Sequence, residues 1–387
     1  MNNHVIRPSR EADIPAIMAM LDHSRSLMRA DGNLTQWTGY PTQEDIQNDI
    51  AAGVSYIIEG ESASVPQGTF ALVPGIEPTY GVIAHGRWID NNTPYSTLHR
   101  LARTEGAQGV AATAFAFAKE HCDHLRVDTH KDNGAMMHLL RKEGFVECGE
   151  VYMDDGSGRQ AFEWWRWDEI FDSLKSWVES DVLPQYDRFD SAHRRDHARR
   201  VIARSMTLYR HLRERLAPPD APIVTLMPEM VYTAAAMHDL GLAEGREEHH
   251  MASGRIIRSC EALRRWFDEK QVETIAQAAE DHRASAVTAP RSMVGCIVAE
   301  ADRDVEPETI VRRTVEYGLS HYPELDREGH WQRTLQHLHE KYAEEGYIKL
   351  WLKESPNKEP LAELRALIKD EPRLRKMVDR LIVNCEL

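Results

Sequence analysis

The sequence predicts an α+β multidomain chain, with a mixed sheet and flanking helices in its N-terminal part and an all-helical C-terminal part. Up to about residue 165, short β-rich runs alternate with helix-length stretches, the pattern of a sheet domain. Beyond Trp165 the period-2 alternation stops, and amphipathic stretches broken by Pro or Gly take over. The 387 residues also exceed the roughly 100–200 of one ordinary domain. The division is expected within RQAFEWWRWDEIFDSL, where a last strand gives way to a first helix, which makes the domains 1–166 and 167–387.

HVIRPSREADIPAI reads as a strand leading into a helix. Further strands are expected at Val54–Ile58, Thr69–Val73, Tyr80–Ala84, Thr97–Ala102, Leu125–Thr129 and Val146–Met153. Helices are expected at Ile14–Met28, Glu44–Ala52, Val110–His121 and Asn133–Lys142. In the last of these, Met136 and Leu140 stand one turn apart on a buried face. In the C-terminal part the spacing predicts helices over Val201–Arg213, Pro228–Asp239, Ala252–Phe267, Gln271–His282 and Pro307–Leu319.

Hydrophobic residues at 42% and charged residues at 28% are the balance of a folded globular chain. No long uncharged apolar run is present, which excludes a helical membrane span, and the start MNNHVIRPSREAD lacks an apolar signal region. Lys+Arg 47 against Asp+Glu 62 gives a net charge of -15, which argues against nucleic acid or an anionic membrane as partner. The basic run ARRVIARSMTLYRHLRER reads as a solvated helix face. Five scattered cysteines without a CxxC suit reduced thiols and a cytoplasmic location.

Histidines and aspartates carry the chemistry of the helical part. His238-Asp239 ends the apolar helix VYTAAAMHDLGL, with Gly241 as a stop, so one nitrogen and one oxygen donor leave a buried helix end together. His193 and His197 in AHRRDHARRV share a helix face four residues apart. His249 and His250 in EEHHMASG, His282 in EDHRAS and Asp302 in AEADRD follow. Imidazole with carboxylate suits Mn, Fe, Ni or Zn better than an ion that prefers oxygen alone. Six such donors exceed the needs of one tetrahedral site, which leaves room for two ions.

This ordered set resembles the HD-domain superfamily of metal-dependent phosphohydrolases, over roughly residues 185–305. The resemblance implies His197, His238, Asp239 and Asp302 as core metal ligands, with Mg also within the family's range of ions. His249 and His282 match the extra histidines of two-metal members; His249 is chosen over His250 because it stands four residues before Ser253. Asp239, His193 and Arg283 form the catalytic set, with His193 as a hydrogen-bonding neighbour and Arg283 as a holder of a phosphate oxygen; Arg200, one turn after His197, is a further candidate. A bound divalent ion would lower the pKa of water and neutralise charge on phosphoryl oxygens.

In the N-terminal part, STLHRLARTEGAQGVAATAFAFAKEH followed by LRVDTHKDNGAMMHLLRKEGFVECGEVYM resembles the GNAT N-acetyltransferase family, over roughly residues 4–165. The resemblance implies a splayed strand near Leu101 and Arg103 that offers carbonyls to pantetheine. It also implies a cradle of backbone N–H groups at Gly106, Gly109 and Ala111 for the pyrophosphate of acetyl-CoA. Asn133 would sit near the cofactor. The chain departs from the family's pattern in two places: glycine occupies the first position of the turn at Gly106, and Leu140 stands where many members carry a proton-donating tyrosine. Tyr152 is a possible substitute, and Trp37, Tyr40 and Pro41 are candidates to line an acceptor pocket.

Two readings of the whole chain follow. In the first, a phosphohydrolase for a small phosphorylated metabolite or nucleotide is fused to an acetyltransferase with an amine acceptor. In the second, the N-terminal domain binds acetyl-CoA without turnover and regulates the hydrolase.

Overall fold

The computed structural model describes residues 4–30, 32–34, 36–60, 65–91, 93–167, 170–190, 193–216, 226–286, 288–353 and 355–385. Contacts divide the chain into two compact units, Met1–Trp167 and Asp168–Leu387, each considered by itself below.

In the N-terminal unit the chain runs through β1 (Val5–Pro8), α1 (Ile14–Ala30), α2 (Gln43–Ala51), β2 (Ser55–Glu59), β3 (Pro66–Pro74), β4 (Ile83–Ala84) and β5 (Ser96–Arg103). It continues through α3 (Val110–His121), β6 (His124–Thr129), α4 (Gly134–Lys142), β7 (Val146–Tyr152) and β8 (Gly158–Trp165). The strands form one sheet in the order β1-β2-β3-β5-β6-β8-β7-β4, so the expected mixed sheet with flanking helices is present. β5 and β6 are parallel and pair only at Ser96–Leu125 and Thr97–Arg126. The two strands therefore share no further rungs, and a cavity lies past the point where pairing ends. Apolar side chains of the strands and of α3 and α4, among them Phe70, Phe115, Leu125, Leu140 and Phe162, close one core with Phe145 just before β7, and α1 and α2 pack a second around Ile17, Leu21, Ile46 and Ile57.

Tyr80–Ala84 departs from expectation. Pro78–Gly81 makes a 3₁₀ turn, and only Ile83–Ala84 joins the sheet. Pro78 sets the first turn position, and the Glu77 carboxylate accepts from the Thr79 backbone N–H, so local hydrogen bonding outcompetes the strand. Tyr80 is still buried, its hydroxyl donating to Asp128 at 2.7 Å.

A polar knot ties the far side of the sheet together. The fully buried Glu163 carboxylate on β8 accepts from Arg126 Nε at 2.9 Å and from the Ile89 backbone N–H at 2.7 Å, and meets His124 Nε2 at 3.0 Å. Arg126 is clamped between Trp88 and Tyr95, 4.0 and 4.2 Å from the ring centres.

The C-terminal unit is helical: α5 (Asp172–Trp177), α6 (Arg195–Leu216), α7 (Pro228–Met237), α8 (His249–Ser259), α9 (Glu269–Asp281), α10 (Met293–Asp302), α11 (Pro307–His321), α12 (Arg327–Tyr342), α13 (Lys358–Lys369) and α14 (Glu371–Cys385). The single helix expected over Ala252–Phe267 is broken. α8 ends at Ser259, Cys260 is extended, and Glu261–Arg265 makes a 3₁₀ turn. Leu263 and Phe267 remain buried, so the apolar period continues across a break that tertiary packing imposes. α11 to α14 share a core around Val311, Trp331, Leu338, Leu364 and Val378. Among the described residues no helix is long and apolar enough to cross a membrane.

Glu163→Ala would leave the buried Arg126 guanidinium without its carboxylate, a loss of about 3–5 kcal/mol. Hydrogen-exchange mass spectrometry should show reduced protection in peptides from β6 and β8. Unchanged exchange there would mean that the knot is dispensable.

Candidate metal centre

Helix ends build the site. α7 is buried along its length, and its C-terminal end delivers His238 and then Asp239. α9 ends at His282 and α10 at Asp302, so three helix C-termini meet, each bringing partial negative charge that favours a cation. His197 lies in the first turn of α6 and His249 at the start of α8. Tyr186, itself buried, fastens the end of α7: its hydroxyl donates to the Ala236 carbonyl at 2.9 Å and accepts from the Asp239 N–H at 3.4 Å. Gly241 permits the turn after it, because a Cβ there would stand 2.0 Å from the His249 carbonyl oxygen.

The Asp239 carboxylate sits between two groups of donors. Its Oδ2 is 3.3 Å from His238 Nε2 and 3.5 Å from His197 Nε2. Asp302 Oδ1 joins that group, 3.2 Å from His197 Nε2 and 3.7 Å from His238 Nε2. On the other side, Asp239 Oδ1 is 3.3 Å from His282 Nε2 and 3.4 Å from His249 Nε2. The two imidazole nitrogens there are 3.3 Å apart.

Hydrogen bonding fixes the state of three rings. Nδ1 of His238, His249 and His282 lies 2.8, 2.8 and 2.5 Å from the carbonyl oxygens of Ala235, Arg246 and Ala279. A carbonyl only accepts, so each Nδ1 carries a proton and each ring turns Nε2 toward the carboxylates, where it holds either a second proton or a bound cation. Lone pairs facing lone pairs and carboxylate oxygens repel unless positive charge lies among them. The donor set therefore fits one ion between His197, His238, Asp239 and Asp302, and a second between Asp239, His249 and His282.

The titration of the cluster tells the same story. Burial works against charge on His238 and His197, but Asp239 and Asp302 outweigh it and hold both imidazoles above their ordinary pKa. Burial likewise opposes ionisation of Asp239 and Asp302, yet the histidines keep both well below the usual carboxylate range. His249 is lowered, first by burial and then by His282.

The cluster opens into a cavity of about 590 Å³ lined by Asp239, Asp302, His249 and His282, and also by His193, Arg246, Arg283, Lys341 and Tyr347. His193 bonds through Nδ1 to Asp190 at 2.8 Å, beside the cluster rather than in it. His250 lies beside His249, with its Nδ1 buried and unbonded. Arg200 does not line the cavity. Lys341 and Tyr347 carried no signal in the sequence, since single residues in a charged helix and its following turn form no motif.

In the N-terminal unit a cavity of about 640 Å³ is lined by Leu101, Asn133, Trp37, Tyr40, Glu77 and His99, among others. Asn133 also caps α4, its Oδ1 accepting from the Met136 N–H. Gly106 and Gly109 both have positive φ, and Gly109 takes the left-handed conformation immediately before α3, where Ala111 lies in the first turn. Arg103 holds that turn by donating to the Ala107 carbonyl at 2.9 Å. Arg103, Gly106, Gly109 and Ala111 do not line the 640 Å³ cavity. Leu140 is wholly buried in the core, and the Tyr152 hydroxyl faces Glu150. His99 Nε2 lies 3.1 Å from Glu77 inside the cavity, a pairing the sequence reading missed because the two are 22 residues apart.

Histidine and aspartate donors gathered at converging helix ends form a set that a divalent ion would fit. Residues 194–305 match the family model for the HD domain. No curated protein matches the chain. The N-terminal part is similar to solved acetyltransferases. A GNAT-family acetyltransferase from Streptococcus agalactiae is 28% identical, covering 43% of this chain and 99% of its own, with a TM-score of 0.39. One from Listeria monocytogenes is 15% identical over 43% and 98%, with a TM-score of 0.34. A ribosomal-protein-alanine N-acetyltransferase from Brucella melitensis is 22% identical over 42% and 99%, with a TM-score of 0.30.

Purified protein supplied with Mn²⁺ should retain about two equivalents by elemental analysis. His249→Ala should retain about one and Asp239→Ala close to none, because the second site leans on His249 and both lean on Asp239. Retention should weaken as pH falls, since His238 holds its proton to higher pH than an ordinary imidazole and the ion must displace it. Equal Mn²⁺ content in wild type and Asp239→Ala would contradict this placement.

Proposed function

We propose that the helical unit is a metal-dependent phosphohydrolase acting on a small phosphorylated metabolite or nucleotide. The observation that carries this reading is the Asp239 carboxylate set between two groups of imidazole nitrogens in an open cavity. Divalent ions held there would lower the pKa of water and draw charge from phosphoryl oxygens. The chain's own residues do the rest. Asp239 and the five other donors fix the ions' positions, Tyr186 fixes Asp239, and Arg283 at the rim offers a guanidinium to a phosphate oxygen. His193, oriented by Asp190, is placed to hold a proton near the reacting group.

The N-terminal unit we read as an acetyl-CoA-dependent N-acetyltransferase. The left-handed Gly109 at the start of α3, the brief pairing of β5 with β6, and the cavity beyond that pairing support it. Its amine acceptor would enter past Trp37 and Tyr40, where His99 beside Glu77 is the imidazole able to take the amine proton. The buried Leu140 favours a second reading, an acetyl-CoA-binding sensor that regulates the hydrolase. We place the protein in the cytoplasm, on its five scattered cysteines without a CxxC.

With Mn²⁺, the protein should release phosphate from members of a nucleotide and sugar-phosphate panel. Asp239→Ala should lower kcat by roughly a thousandfold, the worth of several kcal/mol of charge stabilisation. Release that survives in Asp239→Ala would sink the hydrolase reading. Labelled acetyl-CoA offered with a panel of amines separates the other two readings: transfer lost in His99→Ala supports the acetyltransferase, whereas tight CoA binding without transfer, altering phosphate release, supports the sensor.

A further inference from the structure

We infer that the region C-terminal to the HD domain completes the phosphohydrolase site, with Lys341 and Arg283 together selecting a dianionic phosphomonoester over a monoanionic diester. The inference rests on the hydrolase reading of the same cavity and names its substrate class.

Lys341 is the last residue but one of α12, beyond residues 194–305 that match the HD domain. Its backbone is held from both sides. The Ile348 N–H donates to the Lys341 carbonyl at 2.9 Å, and the Tyr347 N–H donates to the Glu340 carbonyl at 3.1 Å. Ile348 and Tyr342 are buried in the core shared by α11 to α14, which anchors this turn against the C-terminal helices. The anchoring brings Lys341 and Tyr347 to the wall of the cavity whose floor is Asp239 and Asp302.

The charges facing that cavity do not cancel locally. Asp239 and Asp302 are engaged by imidazoles, and Arg246 reaches Asp190 at 3.3 Å. Glu247 is the remaining carboxylate in the wall. Lys341 and Arg283 are half-buried at the cavity wall; Lys341 Nζ lies 5.1 Å from the Tyr342 ring centre, and neither side chain makes a hydrogen bond or salt bridge with the described residues. Holding two cations half out of water with no carboxylate bound to either is costly unless an anion arrives to meet them. A terminal phosphate carries two negative charges for these two cations, whereas a diester carries one and must also fit a second substituent. Tyr347, 43% exposed beside them, offers a ring face to the organic part of the substrate.

The test uses the full-length, Mn²⁺-loaded protein with inorganic phosphate as probe and diethyl phosphate as the diester comparison, read by calorimetry. Wild type should bind inorganic phosphate at least about tenfold more tightly than diethyl phosphate. Lys341→Gln and Arg283→Gln should each weaken phosphate binding about tenfold or more, with Mn²⁺ content and thermal midpoint unchanged. Lys341→Arg should restore much of it. Phosphate bound equally by wild type and Lys341→Gln would overturn the inference, as would diethyl phosphate binding as tightly as phosphate, or no phosphate binding at all. Lys341-dependent phosphate binding without release from any monoester would support the anion site and overturn the hydrolase reading instead.

Discussion

The helical unit depends on one electrostatic constraint, the meeting of imidazole nitrogens around the two oxygens of Asp239. Imidazole nitrogens and carboxylate oxygens at 3.2–3.5 Å are stable only with positive charge among them, supplied by a proton on Nε2 or by a bound cation. Proximity of this kind cannot come from one segment. It requires α6, α7, α8, α9 and α10 to bring their ends together, with α6, α9 and α10 packed on the buried α7 and α8 packed on α9. The small residues Ala234, Ala235 and Ala236 make that approach possible, since longer side chains would hold the neighbouring helices apart.

Histidine at a helix C-terminus resolves two demands with one ring. The last carbonyls of a helix lack intrahelical partners. His238 and His282 each turn Nδ1 back to the carbonyl three residues earlier, which supplies a donor to such a group and points Nε2 outward. A carboxylate could not donate to the carbonyl, and a thiolate could not either. Asp239 needs no such bond, because it has already left the helix and its own N–H is taken up by the Tyr186 hydroxyl. The His-Asp pair is thus a helix stop and a donor pair at once.

Much of this was legible because chemistry and periodicity coincide. His238-Asp239 follows an apolar run long enough to be a buried helix, and His282 closes the expected helix Gln271–His282, so those donors could be placed on structure before any fold was known, whereas the helix that ends at Asp302 was not foreseen. The alternating strands of the first 165 residues were legible for the same reason. What stayed hidden has no local signature. Lys341 is one more lysine in a charged amphipathic helix, and its place in the cavity is set by the packing of Tyr342 and Ile348. Glu163 and Arg126 carry no sequence signal of burial, yet they are buried because each satisfies the other. The break at Cys260 leaves the apolar spacing intact, so no count of periodicity could have found it.

The two units are built to opposite rules at their sites. In the helical unit the donors are rigid, since the rings of His238, His249 and His282 are tied to backbone carbonyls and the helix ends that carry His238 and His282 are buried. Such a site suits a ligand whose geometry varies little, as the coordination sphere of a divalent ion does. In the N-terminal unit the cavity lies where pairing between β5 and β6 stops, and its wall is made of carboxylates answered by cationic side chains: Asp49 with Arg100, Glu77 with His99. Each of these pairs can be opened by an incoming cation that takes over the carboxylate. The two cavities therefore differ in their charge pattern: Lys341 and Arg283 stand beside the aspartate–histidine cluster in one, and the other is walled by carboxylates already paired with cationic side chains.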